Sequence, residues 1–213
     1  MKTSFSPSRW TLGLLGVAAL SAALSACAPL VVGGAVATGA MVAVDRRSSG
    51  AQLDDQAIEL RAASRIRDQM GSRARINVTS YNRRALLTGE VANERDKALA
   101  EQVVKGVDNV AGVFNELGIT NSPSLKEQVA DTVLTGRVKA GLVDTKGLSA
   151  SAFKVVSERG TVYLMGRVTA READQATEVA RTTQGAQRVV RVLEIISDEE
   201  LARIQSSSPS TSN

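Results

Sequence analysis

Histidine is missing from all 213 residues, and cysteine occurs once, at Cys27. Without histidine the chain has no side chain that titrates unperturbed near neutral pH, and it lacks the commonest metal ligand and the central base of most nucleophilic triads. A single cysteine excludes both a disulfide framework and a cysteine metal cluster within one chain. Aromatic residues make up only 3% of the sequence. That argues against a nucleic-acid surface built on stacked rings. The formal charge is +4, but Lys2 and Arg9 stand in the first few residues, ahead of an apolar run. If that segment is removed, the remainder is weakly basic at +2, which makes no demand for a polyanionic partner. The remaining Asp, Glu and Lys side chains form no pairing motif that would suggest an acid, a base or a nucleophile. No enzyme, cofactor or metal is expected.

The segment after Lys2 and Arg9 runs from Trp10 to Leu24 as an apolar stretch and passes into small residues before Cys27. A basic start, an apolar centre and a small-residue end are the parts of a secretory signal. The stretch is short for a membrane span. Leu24-Ser25-Ala26-Cys27 resembles the bacterial lipobox, which implies cleavage before Cys27 and lipid attachment to its sulfur. Acyl chains there would hold the protein to a bilayer at about 0.8 kcal/mol per buried CH2. The next residue is Ala28. In lipoproteins of Gram-negative bacteria an aspartate at that place signals retention in the inner membrane, so its absence implies the outer membrane, facing the periplasm. Residues 1–26 are therefore expected to be the signal, and 27–53 the lipidated N-terminus with a tether.

Pro29 to Val44 is rich in Gly, Ala and Val with no amphipathic pattern, which favours a flexible tether over a segment lying on the bilayer. Gln205 to Asn213 is a serine-rich polar stretch, expected to be a disordered tail.

Between these ends the chain repeats itself. Leu87-Thr88-Gly89-Glu90-Val91 recurs as Leu164-Met165-Gly166-Arg167-Val168, and each is followed by a charged stretch of helical character. Those stretches close alike, with Gly106, Val110 and Val113 matched by Gly185, Val189 and Val192. Three blocks in one order point to two copies of a small domain, at 54–119 and 125–196.

Each copy is expected to open with a helix. In the first, Asp54 or Asp55 would cap it, and Ile58, Ala62, Ile66 and Met70 fall near helical spacing. In the second, Pro123 and Ser124 mark the start, and Val129, Val133, Val138 and Leu142 lie within it. Two strands follow, at Ile76–Tyr81 and Ala85–Val91, then at Ala152–Val156 and Thr161–Met165. Helices at Glu94–Lys105 and Arg171–Thr182 lead to last strands at Val110–Ile119 and Arg188–Ile196. The expected fold class is α+β: two tandem α-β-β-α-β domains, each a three-stranded mixed sheet with two helices on one face. Gly89 and Gly166 interrupt strand patterns, which suggests a bulge or a close helix approach rather than a ligand site. The short connection Thr120–Ser124 favours close packing of the two domains.

The repeated Leu-x-Gly-x-Val, the helix after it and the valine-spaced ending resemble the BON domain. With the lipobox and tether, the whole resembles the two-BON outer-membrane lipoproteins associated with envelope stress and division. The resemblance implies a non-enzymatic protein that binds anionic phospholipid, typically phosphatidylglycerol, at the inner leaflet of the outer membrane and supports barrier integrity. It places the membrane contact on the opening helix of the second copy. There Val133, Leu134, Val138, Leu142 and Val143 would enter the acyl region while Arg137, Lys139 and Lys146 meet phosphates. The same apolar residues are equally read as core, Val138 and Leu142 above all. No tryptophan follows Cys27 to anchor at the interface, and Gly136 and Gly141 each weaken a helix by about 1 kcal/mol relative to alanine. The alternative is a periplasmic protein-interaction or scaffold module with an envelope protein partner, in envelope assembly or peptidoglycan remodelling. No nucleic-acid partner is expected.

Overall fold

A computed structural model describes residues 45–207. The expected signal, Cys27 and the stretch from Pro29 to Val44 lie outside the described residues, as does the tail beyond Ser207.

Helix α1 (Ser49–Met70) starts earlier than Asp54, because the Ser48 side chain accepts from Ala51 N–H and caps it. Asp54 and Asp55 are thus interior to the helix, and neither is its cap. Within the segment expected as tether, Arg46 is buried and α1 already begins at Ser49. Ile58, Ala62, Ile66 and Met70 form the buried face of α1, as their spacing requires. Gly71, with φ 58, ends the helix.

Strands β1 (Arg75–Tyr81) and β2 (Arg84–Val91) form an antiparallel hairpin. Its turn, Asn82-Arg83, has both φ values positive, at 50 and 63, the geometry whose twist suits a two-residue hairpin. Helix α2 (Glu94–Lys105), capped by Asn93, crosses back to place the next strand parallel to β2. That strand is not the single run expected from Val110 to Ile119. It divides into β3 (Gly112–Asn115) and β4 (Gly118–Ile119), both parallel to β2. Between them Leu117 turns into the core, 2% exposed.

The second domain repeats the order without that break. Helix α3 (Leu125–Asp144) opens on a reciprocal capping box between Ser124 and Glu127. Strands β5 (Phe153–Glu158) and β6 (Thr161–Val168) pair antiparallel around a turn at Arg159-Gly160, with φ 55 and 70. Helix α4 (Ala170–Thr182) opens on a second capping box, Thr169 with Glu172. Strand β7 (Arg188–Ile195) pairs parallel to β6 along its length. A further helix, α5 (Asp198–Ser207), follows, so the residues from Gln205 to Ser207 are helical rather than part of a disordered tail.

Gly89 and Gly166 sit in unbroken ladders, opposite Ile76 and Phe153. The sequence suggests a bulge or a helix contact, but the neighbour is backbone of the adjacent strand for Gly89 and of Ala152, the residue just before the adjacent strand, for Gly166. A Cβ on Gly89 would lie 2.0 Å from the Arg75 carbonyl oxygen, and one on Gly166 would lie 2.4 Å from that of Ala152.

Each sheet carries its two crossing helices on one face and turns the other face to the other domain. Ile58, Met70, Leu87 and Val104 belong to the first core; Leu134, Val138, Leu164 and Ala176 belong to the second. Between the sheets Tyr81 and Leu86 pack with Tyr163, Met165 and Val192. The layers are therefore helix, sheet, sheet, helix. Around this apolar centre run polar ties: Asn82 Nδ2 to Glu194 at 2.7 Å, Arg84 to the Leu193 carbonyl at 3.2 Å, and Lys154 to Glu59 at 2.7 Å. Arg75 also bonds Glu158 across the interface.

Candidate functional site

Helix α3 has two apolar faces, and only one belongs to the core. Leu134, Val138 and Leu142, spaced by four, are buried to 3%, 0% and 1% exposure. This corrects their assignment as lipid contacts, because they pack against β5, β6 and α4 and cannot leave without opening the domain. The other sequence-derived candidates stay on the surface: Val133 and Val143 are 44% and 70% exposed, and Arg137, Lys139 and Lys146 are exposed.

The outward face extends beyond those residues. Leu125 is 79% and Val129 is 60% exposed. With Val133, Gly136, Ala140 and Val143 they recur at intervals of three and four, which keeps them on one side of a helix. In the sequence Val129 reads only as an apolar position of the opening helix and Leu125 carries no mark of its own, because a second apolar stripe on a helix already supplied with a core face looks like more core. The separating signal is that the stripes through Leu134 and Val133 are offset by one residue, so both cannot face inward. Exposed basic side chains accompany the outer stripe, with Lys126 and Arg137 toward one flank, Lys139 toward the other, and Lys146 just beyond the end of the helix.

Gly136 and Gly141 lie within an unbroken helix. Gly141 permits close packing, since a Cβ there would stand 2.8 Å from Val179 Cγ1 of α4. The helix start is held firmly. Glu127 accepts from Ser124 N–H and Oγ–H, both at 2.7 Å. These bonds, the side-chain one foremost, hold its carboxyl below the ordinary range.

Asp131 turns inward from the same helix and accepts from the N–H groups of Arg159 and Gly160 at 2.7 and 2.9 Å, fastening α3 to the β5–β6 turn. Between that turn, α3 and the loop after α4 lies an open groove of about 550 Å³ that shares Val133 with the outer stripe. Arg137 reaches across it to the Gln184 carbonyl at 3.3 Å.

Among the described residues no group of three or more Asp, Glu, His or Cys is placed to hold a metal ion, and no helix is long and apolar enough to cross a membrane. Two leucines on α1, Leu53 and Leu60, are also strongly exposed, at 67% and 74%. They belong to the outer layer of the first domain, on a helix that also carries exposed Arg61 and Arg67.

The model of the BON domain matches residues 54–121 and 130–197. Outer membrane lipoprotein DolP of Haemophilus influenzae is 35% identical over 175 residues, covering 81% of this chain and 90% of that protein. A 21 kDa hemolysin of Actinobacillus pleuropneumoniae is 32% identical over 72% of this chain and 80% of its own length. Osmotically-inducible protein Y of Escherichia coli is 27% identical over 64% of this chain and 70% of its own.

Proposed function

The chain belongs to the BON-domain family and is an outer-membrane lipoprotein, and from that premise we propose that it binds the anionic phospholipid surface of the leaflet to which it is anchored, through the outer face of α3. Cys27 is the proposed point of lipid attachment. The observation that carries the reading is the exposed stripe from Leu125 to Val143, which is apolar along its centre and flanked on both sides by unburied basic residues. Apolar side chains gain by leaving water for the acyl boundary, and each basic residue near an anionic surface adds about 1 kcal/mol. Because lipidation has already brought the domain to the bilayer, a weak surface suffices. The same role supports envelope integrity and calls for binding rather than catalysis.

The revised contact set is Leu125, Val129, Val133 and Val143 for the acyl region, with Lys126, Arg137, Lys139 and Lys146 for phosphates. Leu134, Val138 and Leu142 serve by holding the helix in place. The test is flotation of the mature chain carrying Cys27→Ser with vesicles of phosphatidylcholine alone or with added phosphatidylglycerol. The parent should float with the anionic vesicles and not with the neutral ones. Val129→Glu with Val143→Glu should abolish flotation while leaving the circular dichroism spectrum unchanged. Undiminished flotation of that double variant, or a parent that ignores both vesicles, overturns the reading.

A further inference from the structure

The groove beside α3 has a chemistry of its own. Ala130 and Leu134 line it from the helix, and Gly185 stands opposite, where a Cβ would come 3.7 Å from Leu134 Cδ1. Four charged residues line it: Glu127, Asp131, Arg137 and Arg159. The two carboxylates are occupied, Asp131 by two turn N–H groups and Glu127 by Ser124. The two guanidinium groups are not saturated. A guanidinium has five N–H donors, and the hydrogen bond of Arg137 to Gln184 uses one. Arg159 is held by an ion pair to Glu90 at 3.5 Å and a hydrogen bond to Thr120 Oγ1 at 3.4 Å, which leave other donors of its fork unused.

The cationic groups with donors to spare are thus two guanidinium forks over an apolar floor, with the neutral amides of Gln184 and Gln187 beside them, and Val133 is both a wall of the groove and part of the exposed stripe. Guanidinium forks match the oxygens of a phosphodiester. We propose that this groove seats the phosphate of an anionic phospholipid headgroup, one with no ammonium of its own to offset it, held between Arg137 and Arg159, while the acyl chains of that lipid pass over Val133. The proposal rests on the reading of α3 as a membrane-docking face and adds the place and chemistry of headgroup recognition.

Arg159 also makes the site a property of the two-domain protein. Glu90 belongs to β2 of the first domain, is 3% exposed, and is fixed by Arg75 at 2.8 and 3.0 Å. Thr120 belongs to the connection between the domains. Together they set the position of the Arg159 guanidinium from outside its own domain, so Glu90 is a positioning residue for the groove.

The test uses the full lipidated chain in vesicles, with an environment-sensitive fluorophore on Ala140→Cys, which provides the one free thiol once Cys27 is acylated. Emission is compared between phosphatidylcholine vesicles and vesicles with added phosphatidylglycerol, and affinity is read as the ratio between them. Arg137→Gln and Arg159→Gln should each lower that ratio about five-fold. Arg159→Lys, which keeps the charge and loses the fork, should recover part of it. Arg61→Gln, on the outer layer of the first domain, should leave it unchanged. If Arg159→Gln keeps the full ratio, or Arg61→Gln lowers it equally, the groove is not the headgroup site, whatever the fate of the docking face. If the fluorophore reports no apolar environment in either vesicle, the docking reading itself fails and the proposal falls with it. Inorganic phosphate alone, added without vesicles, should not shift the Arg159 Nε–H resonance. A shift as large as that caused by phosphatidylglycerol would mark a site for free phosphate and overturn the lipid assignment.

Discussion

Arg46 and Glu172 form a buried two-pronged ion pair, at 2.6 and 2.7 Å, that fastens the chain just ahead of the first domain to the second. Glu172 is also the capping-box residue of α4, accepting from Thr169 N–H at 2.9 Å. Arg46 donates as well to the Arg167 carbonyl, and Arg167 donates back to that of Arg46, each at 3.0 Å. One residue later, Arg47 turns to the first domain, bonding Asp55 and lying 4.4 Å over the Tyr81 ring. The pair of arginines therefore straddles both domains where the N-terminal segment enters.

Removing one member of such a pair leaves the other charged and buried. Arg46→Ala is expected to cost about 3–5 kcal/mol, measured by urea unfolding at neutral pH, and Arg46→Ala with Glu172→Gln should recover part of the loss. The pH dependence follows from the carboxyl. Burial pushes its pKa up, but the bonds from Arg46 and Thr169 outweigh burial and hold it below the ordinary 4.5. A depressed folded-state pKa means that the fold binds the ionised form better. The stabilisation is complete at neutral pH and drains away as pH falls below about 4.5 toward the folded-state value. Glu172→Gln should therefore be least harmful, relative to the parent, at the acid end. A constant difference from pH 7 to pH 3 would contradict this account.

Asp55 and Asp131 do the same work in the two repeats. Asp131 holds the amides of Arg159 and Gly160; Asp55 holds those of Asn82 and Arg83, each at 2.7 Å, and adds Ser80 Oγ–H at 2.6 Å. Replacing either carboxylate by an amide removes acceptor capacity from a buried turn, at about 1–3 kcal/mol. Asp55→Asn should cost more than Asp131→Asn, because Asp55 has more partners. Equal losses in thermal unfolding would show that only the two turn amides matter.

That pairing also shows what could be read beforehand. The helix-strand-strand-helix-strand order was legible because the apolar periods and the Gly-marked blocks repeat. Asp54 and Asp55 both look like caps because an acidic residue near a helix start usually is one, whereas Ser48 holds that position. The correcting signal was present. Asp55 stands three residues before Ile58 as Asp131 stands three before Leu134, and a polar residue locked in phase with a core face points inward. The interruption at Leu117 had no comparable mark, since one buried leucine in a strand pattern looks like continuation. On α3, residue type alone could not divide the apolar positions between core and surface. The packing of α4 against Gly141 does that, and it depends on the tertiary fold.

Gly89→Ala and Gly166→Ala should both destabilise, because the added methyl meets a fixed backbone carbonyl that no rotamer can relieve. Gly89 also has φ 115, outside the range comfortable for alanine. Gly89→Ala is thus expected to be the worse of the two, and Gly112→Ala nearly neutral, since nothing lies within 4 Å of a Cβ there. Ranking the three melting temperatures checks this. An order with Gly112→Ala lowest would be incompatible with the strand contacts described.

Met165 sits between the two sheets with no exposed surface, packed with Tyr81, Leu86, Tyr163 and Val192. Burial, its largest influence, pushes the Tyr81 hydroxyl up to about 12, so it stays protonated as a donor toward the Ala152 carbonyl. Each domain nevertheless has a core independent of this layer. A charge at the centre of the layer, as in Met165→Glu, leaves both cores intact while making contact between the sheets unfavourable by several kcal/mol. The parent is expected to melt in one calorimetric transition because the domains support each other. Met165→Glu is expected to melt in two, with both transitions below the parent temperature. It should also weaken phosphatidylglycerol binding, because Arg159 loses Glu90 and Thr120 when the domains part. A single transition in the variant would mean that the domains do not fold separately, and the coupling between interface and groove would then have to be tested at Glu90 itself.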